Sequence, residues 1–122
     1  MIIPEFIQNQ LPAMAKEAPF SITVCDTKGI ILYMNEKSLK TFERFGTEEQ
    51  LIGTSLFNYH PPHANDKIKH MLETQDKNAY TIEKNGLKKL IYQCPWYKDG
   101  IFAGLIELSL ILPDEMPHFI RK

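Results

Sequence analysis

The chain is poor in the features that mark most specialised classes. Its 122 residues contain two cysteines, Cys25 and Cys94. They lie far apart in sequence, so no Cys-x-x-Cys pair exists for zinc or thiol–disulfide chemistry. Two isolated thiols in a reducing compartment are expected to be buried and inert. The formal net charge is only −1 and the acids and bases are interspersed. That excludes the basic stripe of a nucleic-acid surface. No apolar run is long enough to span a bilayer. The first residues lack the basic start and small-residue cleavage site of a secretory signal, which gives a cytoplasmic expectation. Catalytic signatures are missing too: there is no Gly-rich phosphate loop, no HExxH and no nucleophile elbow. The expectation is a non-enzyme.

What is present is one domain's worth of ordinary globular sequence, 43% hydrophobic and 24% charged. Its clearest stretch is Ala79 to Leu112. Asn85-Gly86 and Asp99-Gly100 are two-residue hairpin signals, since both dipeptides tolerate positive φ at the two turn positions. They predict three antiparallel strands over 79–84, 87–97 and 101–111. A strict two-residue register pairs Tyr97 with Phe102, Pro95 with Gly104, Gln93 with Ile106, Ile91 with Leu108 and Tyr80 with Ile91. The opposite face then pairs Trp96 with Ala103, Cys94 with Leu105 and Tyr92 with Glu107. The apolar row Phe102, Gly104, Ile106, Leu108 and Leu110 selects the inner face. Gln93 becomes the one polar side chain in mid-strand there, needing an internal partner or a ligand. Tyr92, Trp96 and Leu105 become an outer patch that needs a cover.

Upstream, residues 4–17 read as a helix carrying Phe6, Ile7, Leu11 and Met14 on one side, kinked or split at Pro12. It is the natural lid for the outer face, in cis or across a dimer. Phe20 to Cys25 alternates as a strand. Asp26-Thr27-Lys28-Gly29 turns it back into Ile30 to Met34. Asn35 reads as the N-cap of a short helix with Leu39 and Phe42. Thr47-Glu48-Glu49-Gln50 is a capping-box pattern ending at Gly53, and Ser55 starts a turn through Phe57. His60-Pro61-Pro62-His63 reads as extended loop. Asn65 or Asp66 is expected to cap a helix to about Gln75, burying Ile68, Met71 and Leu72. Helices grouped between two hairpins make an α+β fold with a five-stranded antiparallel sheet.

Three stretches carry a resemblance. Asp26-Thr27-Lys28-Gly29-Ile30-Ile31-Leu32-Tyr33-Met34-Asn35 resembles the first hairpin of PAS domains. Leu51-Ile52-Gly53 resembles their Leu/Ile-Gly signal, and Asp99-Gly100-x-x-x-Gly104 resembles their last hairpin. His60-Pro61-Pro62 is similar to a bacterial PAS subgroup. The resemblance covers about 19–112, leaving 1–18 as an N-terminal amphipathic helix and 113–122 as a tail. It implies a sensory, signal-transducing module with a small-ligand cavity, and dimerisation through the outer face and N-terminal helix. The cavity is expected to be lined by Thr23, Cys25, Leu39, Phe42, Phe57, Met71, Tyr80, Ile91, Gln93, Phe102 and Ile106. The alternative is a ligand-free dimerisation or docking module whose cavity is packed shut by Phe42, Phe57, Tyr80 and Phe102. No effector pattern follows the last strand, so the output acts in trans or the chain is a piece of something longer.

The ligand itself is not named by the resemblance. The light-sensing flavin branch carries Asn-Cys-Arg-Phe-Leu after the glycine. This chain has Thr54-Ser55-Leu56-Phe57-Asn58 there, and Ile106 where a Gln contacts the flavin. Haem needs an axial histidine. His70 falls about 200° from Ile68 on its helix and points to solvent, which leaves His60 and His63. Zinc between those two is disfavoured, because residues three apart in a polyproline segment are separated by about 9 Å.

Overall fold

The computed structural model describes residues 10–122. Phe6 and Ile7, the first half of the expected N-terminal helix, lie outside them. The chain runs α1 (Leu11–Glu17), β1 (Ser21–Cys25), β2 (Ile31–Met34), α2 (Glu36–Thr41), a 3₁₀ turn (Glu43–Phe45), α3 (Glu48–Leu51), a second 3₁₀ turn (Leu56–Tyr59), α4 (Pro62–Thr74), β3 (Asn78–Lys84), β4 (Leu87–Lys98) and β5 (Ile101–Ile111). The strands form one antiparallel sheet in the order β2-β1-β5-β4-β3. This is the expected α+β architecture. The core joins the inner face of the sheet to the helical segment through Cys25, Ile31, Met34, Leu51, Leu56, Ile68, Met71 and Leu105.

Local chemistry accounts for most boundaries. Asn85, Gly86, Asp99 and Gly100 all take positive φ, as type I′ turns require. Asp26 Oδ1 accepts from the amides of Lys28 and Ile30, closing the first hairpin. Thr47 and Gln50 form the capping box, and Ser55 receives the Phe57 amide.

Asn35 is fully buried, and its amide is used at both ends. Oδ1 accepts from the Ser38 amide, as a helix cap, and from the Ile22 amide in β1. Nδ2 donates to Phe20 O at 2.8 Å and to Ala15 O at 3.1 Å. One side chain therefore ties β1, α2 and α1 together. Lys16 adds bonds to Met34 O and to Glu48.

Several expectations are corrected. Pro12 stands in the first turn of α1, where its missing N–H costs nothing; the part of the expected kinked or split helix before Gln10 lies outside the described residues. Leu11 and Met14 are 59% and 63% exposed, so this helix is pinned by hydrogen bonds at the Asn35 corner, and these two side chains are not packed over the sheet. Pro62 likewise opens α4, with Pro61 as its extended N-cap and His63 already helical. Asn65 is no cap; its Nδ2 donates to the carbonyls of Phe57 and His60.

The largest correction is register. Tyr97 pairs with Phe102 as predicted, but the next pair is Trp96 with Gly104, leaving Ala103 as a one-residue bulge. Every later pair slips by one: Pro95 faces Leu105, Cys94 Ile106, Gln93 Glu107, Tyr92 Leu108 and Ile91 Ser109. Leu105 and Glu107 thus turn to the inner face. Ile106, Leu108 and Leu110 turn out beside Tyr92 and Cys94. The reason lies between strands. A Cβ on Gly104, whose φ is +143°, would sit 1.9 Å from Cys25 O, so only glycine lets β5 approach β1 here. The Trp96 indole crosses this spot and donates to the same carbonyl at 3.0 Å.

Gly104→Ala is expected to cost about 3–5 kcal/mol, as an unrelievable backbone clash at a positive-φ site. Urea unfolding measures this; stability within about 1 kcal/mol of wild type would refute the close-approach account.

Candidate functional site

Between the inner face of the sheet and α4 lies a cavity of about 40 Å³. Its lining comprises Thr23, Cys25, Phe42, Leu56, His60, Ile68, Met71, Gln93, Leu105, Ile106 and Glu107. A groove of about 370 Å³ shares His60, Ile68, Gln93 and Glu107 with it and continues outward past His63, Ala64, Lys67, Asn78 and Tyr80. The four shared residues form the wall between interior and surface.

Of the eleven residues expected to line the interior, Thr23, Cys25, Phe42, Met71 and Gln93 do so, and Ile106 borders it from β5 although the register places its side chain on the outer face. Leu39 and Phe57 pack against the core without reaching the cavity, Phe57 lying over Gly29. Ile91 is buried further along the sheet. Tyr80 is 45% exposed and borders the groove instead. Phe102 stacks edge-on with Tyr97 near the hairpin tip. The four aromatics expected to close the interior therefore do not fill it; Phe42 alone among them is a wall.

Glu107 is the residue that sequence reasoning misplaced. Paired with Tyr92 on paper, it sits inside, where its Oε2 accepts from Gln93 Nε2 at 2.7 Å. Gln93 Oε1 accepts in turn from Asn78 Nδ2 at 2.9 Å. This chain of three polar side chains runs across β3, β4 and β5 from the groove into the interior. It gives Gln93, only 8% exposed, an internal partner at each end. His60, one of the two histidines left as axial-ligand candidates, lines the cavity with its Nδ1 2.8 Å from Leu56 O. A carbonyl only accepts, so Nδ1 donates, and in the neutral tautomer this leaves Nε2 as an acceptor. Thr23 Oγ1 shares a short hydrogen bond with Ser38 Oγ.

Burial pushes the Cys25 thiol up to about 11 from 9.0; the Leu105 backbone hydrogen bond opposes this, and the carboxylates of Asp26 and Glu107 add to it. Burial and Glu107 also raise the Tyr80 phenol above its ordinary value. Leu105, once assigned to the outer patch, is 7% exposed and part of the core.

The cavity has room for about three water molecules, whereas pockets for drug- or cofactor-sized ligands are on the order of 300–1,000 Å³. Haem and flavin do not fit it as it stands. Among the described residues no three His, Cys, Asp or Glu side chains converge as a metal site. His70 is exposed and lies 3.5 Å from Asp76, so it faces away from the interior.

A family model described as the PAS domain matches residues 19–93. The chain belongs to the PAS-domain family, whose members are typically sensory and signal-transduction modules and generally non-catalytic. Similar solved structures carry the same fold. A PAS domain from Colwellia psychrerythraea is 22% identical with a TM-score of 0.64, the match covering 87% of this chain and 97% of that one. The PAS domain of an HTR-like protein from Haloarcula marismortui is 14% identical, TM-score 0.63, over 88% and 93%. A sensory box sensor histidine kinase from Vibrio cholerae is 11% identical, TM-score 0.61, over 90% and 94%. No curated protein matches the sequence. Among the described residues no helix is long and apolar enough to cross a membrane.

The Cys25 environment yields a labelling prediction. A thiol that keeps its proton to about pH 11 is a poor nucleophile. Iodoacetamide at pH 8 should modify half-buried Cys94 first and reach Cys25 only on unfolding, read by peptide mass spectrometry. Comparable rates at both would contradict it. Because the folded thiol binds its proton more tightly than the unfolded one, its stabilisation is full below about pH 9 and is lost as pH rises towards 11.

Proposed function

We propose that this PAS domain is a sensor that takes a small ligand into the cavity beneath its sheet and transmits occupancy to its N-terminal helix. The observation that carries this reading is the Asn78–Gln93–Glu107 chain, which brings a carboxylate into an otherwise largely apolar interior. Gln93 is buried and Asn78 and Glu107 half-buried, and taking such groups from water costs stability unless they are fully partnered, so their presence beside a cavity favours recognition over packing. A route outward supports the same reading. Thr23 lines the cavity and bonds the Ser38 hydroxyl; the Ser38 amide donates to its N-cap Asn35, and Asn35 Nδ2 donates to Ala15 O of α1. A ligand that moves Thr23 acts on that helix through two side chains.

The second reading, a ligand-free docking module, is favoured by the cavity's small volume, about 40 Å³. The double variant Gln93→Leu/Glu107→Leu separates the two. A recognition site held at a stability cost predicts a melting temperature equal to or above wild type, and loss of any ligand mass seen in native mass spectrometry of the purified wild type. A clear drop in melting temperature, with a clean apo mass for the wild type, would favour the docking module.

Self-association belongs to the same proposal, with the outer face redrawn. Tyr92 and Trp96 stay on it, Leu105 leaves, and Leu108, paired with Ile22 and Tyr92, takes its place. Leu108→Glu is expected to shift the protein to monomer in sedimentation velocity while preserving the fold. An unchanged dimer would remove this face from the account. Trp96→Glu is a poorer probe, because it also breaks the indole bond to Cys25 O.

A further inference from the structure

We infer that the ligand of this cavity is a small organic cation, a protonated primary amine whose N–H groups are received by Glu107 and the His60 ring. The inference rests on the reading of the interior as a ligand site and names the chemistry of what it takes.

The argument is a count of donors and acceptors. The Gln93 amide cannot be reversed, because Glu107 offers only acceptors; its nitrogen must face the carboxylate and its oxygen must face Asn78 Nδ2. The Thr23 hydroxyl is shared with Ser38. His60 Nδ1 is committed to Leu56 O. The polar atoms then left without a protein hydrogen bond include Glu107 Oε1, which accepts, and His60 Nε2, which accepts in the neutral tautomer. No Lys, Arg or His lies within ion-pairing distance of Glu107 among the described residues, where the ion pairs are Lys16–Glu48 and His70–Asp76. The remaining walls, such as Leu56, Ile68 and Met71, are apolar.

Each ligand class meets this surface differently. An anion meets like charge, and an uncharged apolar ligand desolvates the carboxylate without compensation. An ammonium supplies both the donors and the charge. The cavity's size restricts the part inside to the head group and a carbon or two. The tail passes Ile68 into the groove beside Tyr80, where exposed Lys67 disfavours a second positive charge. The expected class is therefore a monoamine with a short apolar tail.

The test uses 15N-labelled protein titrated with butylammonium chloride, 1-butanol or sodium butanoate at equal ionic strength, following the Gln93 side-chain amide and the Ile68 and Glu107 backbone amides. Saturable shifts with butylammonium, at least about tenfold tighter than with the other two, are expected. Glu107→Gln, checked for folding by its own spectrum, should lose about the same factor. Equal or tighter binding of butanol or butanoate, or undiminished binding by Glu107→Gln, overturns the cation assignment but leaves a ligand-binding interior standing. Cavity resonances that respond to none of the three overturn both. If Glu107→Gln does not fold, the comparison of the three probes on the wild type decides alone.

Discussion

The close approach of β5 to β1 at Gly104 is the constraint on which the interior depends. With no side chain there, the strands come near enough that a single Cβ would sit 1.9 Å from Cys25 O. The chain absorbs the approach with one extra residue, Ala103, and from that point each side chain of β5 faces the other way. Two consequences follow from the slip. Ile106 and Leu108 are surrendered to the outer face, and Glu107 is turned inward onto Gln93. An unbulged β5 would have given a wholly apolar row and left Gln93 without its carboxylate partner. The bulge turns core into candidate site.

Asn35 is the complementary device at the other end of the molecule. Its amide satisfies groups on β1, α2 and the chain just before β1, and also a carbonyl of α1. Because the side chain is wholly buried, none of these partners can be exchanged for water without opening the corner. The hydroxyl pair Thr23–Ser38 sits between this junction and the cavity. The cavity and α1 are thus separated by a few hydrogen bonds, and α1 is held by polar contacts more than by apolar burial. An element held that way is among the easier ones to release.

How much of this was legible follows from where the information sits. The hairpins were readable because Asn-Gly and Asp-Gly carry their backbone geometry in the dipeptide itself. The Asp26 turn, the Asn35 cap and the Thr47 capping box are equally local. The start of α4 was misread because a proline signals either a break or a first turn, and the residues around it do not say which. The bulge was not legible at all. It answers a contact between β5 and β1, some eighty residues apart in sequence, while the local pattern Phe102, Gly104, Ile106, Leu108, Leu110 argued for the wrong face. Phe102 and Tyr80 left the predicted lining, and Glu107 entered it. Gln93 survived because β4 keeps its own alternation on both readings, and His60 because a loop residue's position does not depend on strand register.

The measurement that tests this account most directly is the register of β4 against β5 in solution. Cross-strand nuclear Overhauser contacts between backbone protons should join Gln93 to Glu107, Tyr92 to Leu108 and Trp96 to Gly104, with Ala103 skipped. That result places a carboxylate in the interior and leaves the recognition argument its foundation. Contacts joining Gln93 to Ile106 and Trp96 to Ala103 would put Glu107 back on the surface, and the proposed site would lose its carboxylate.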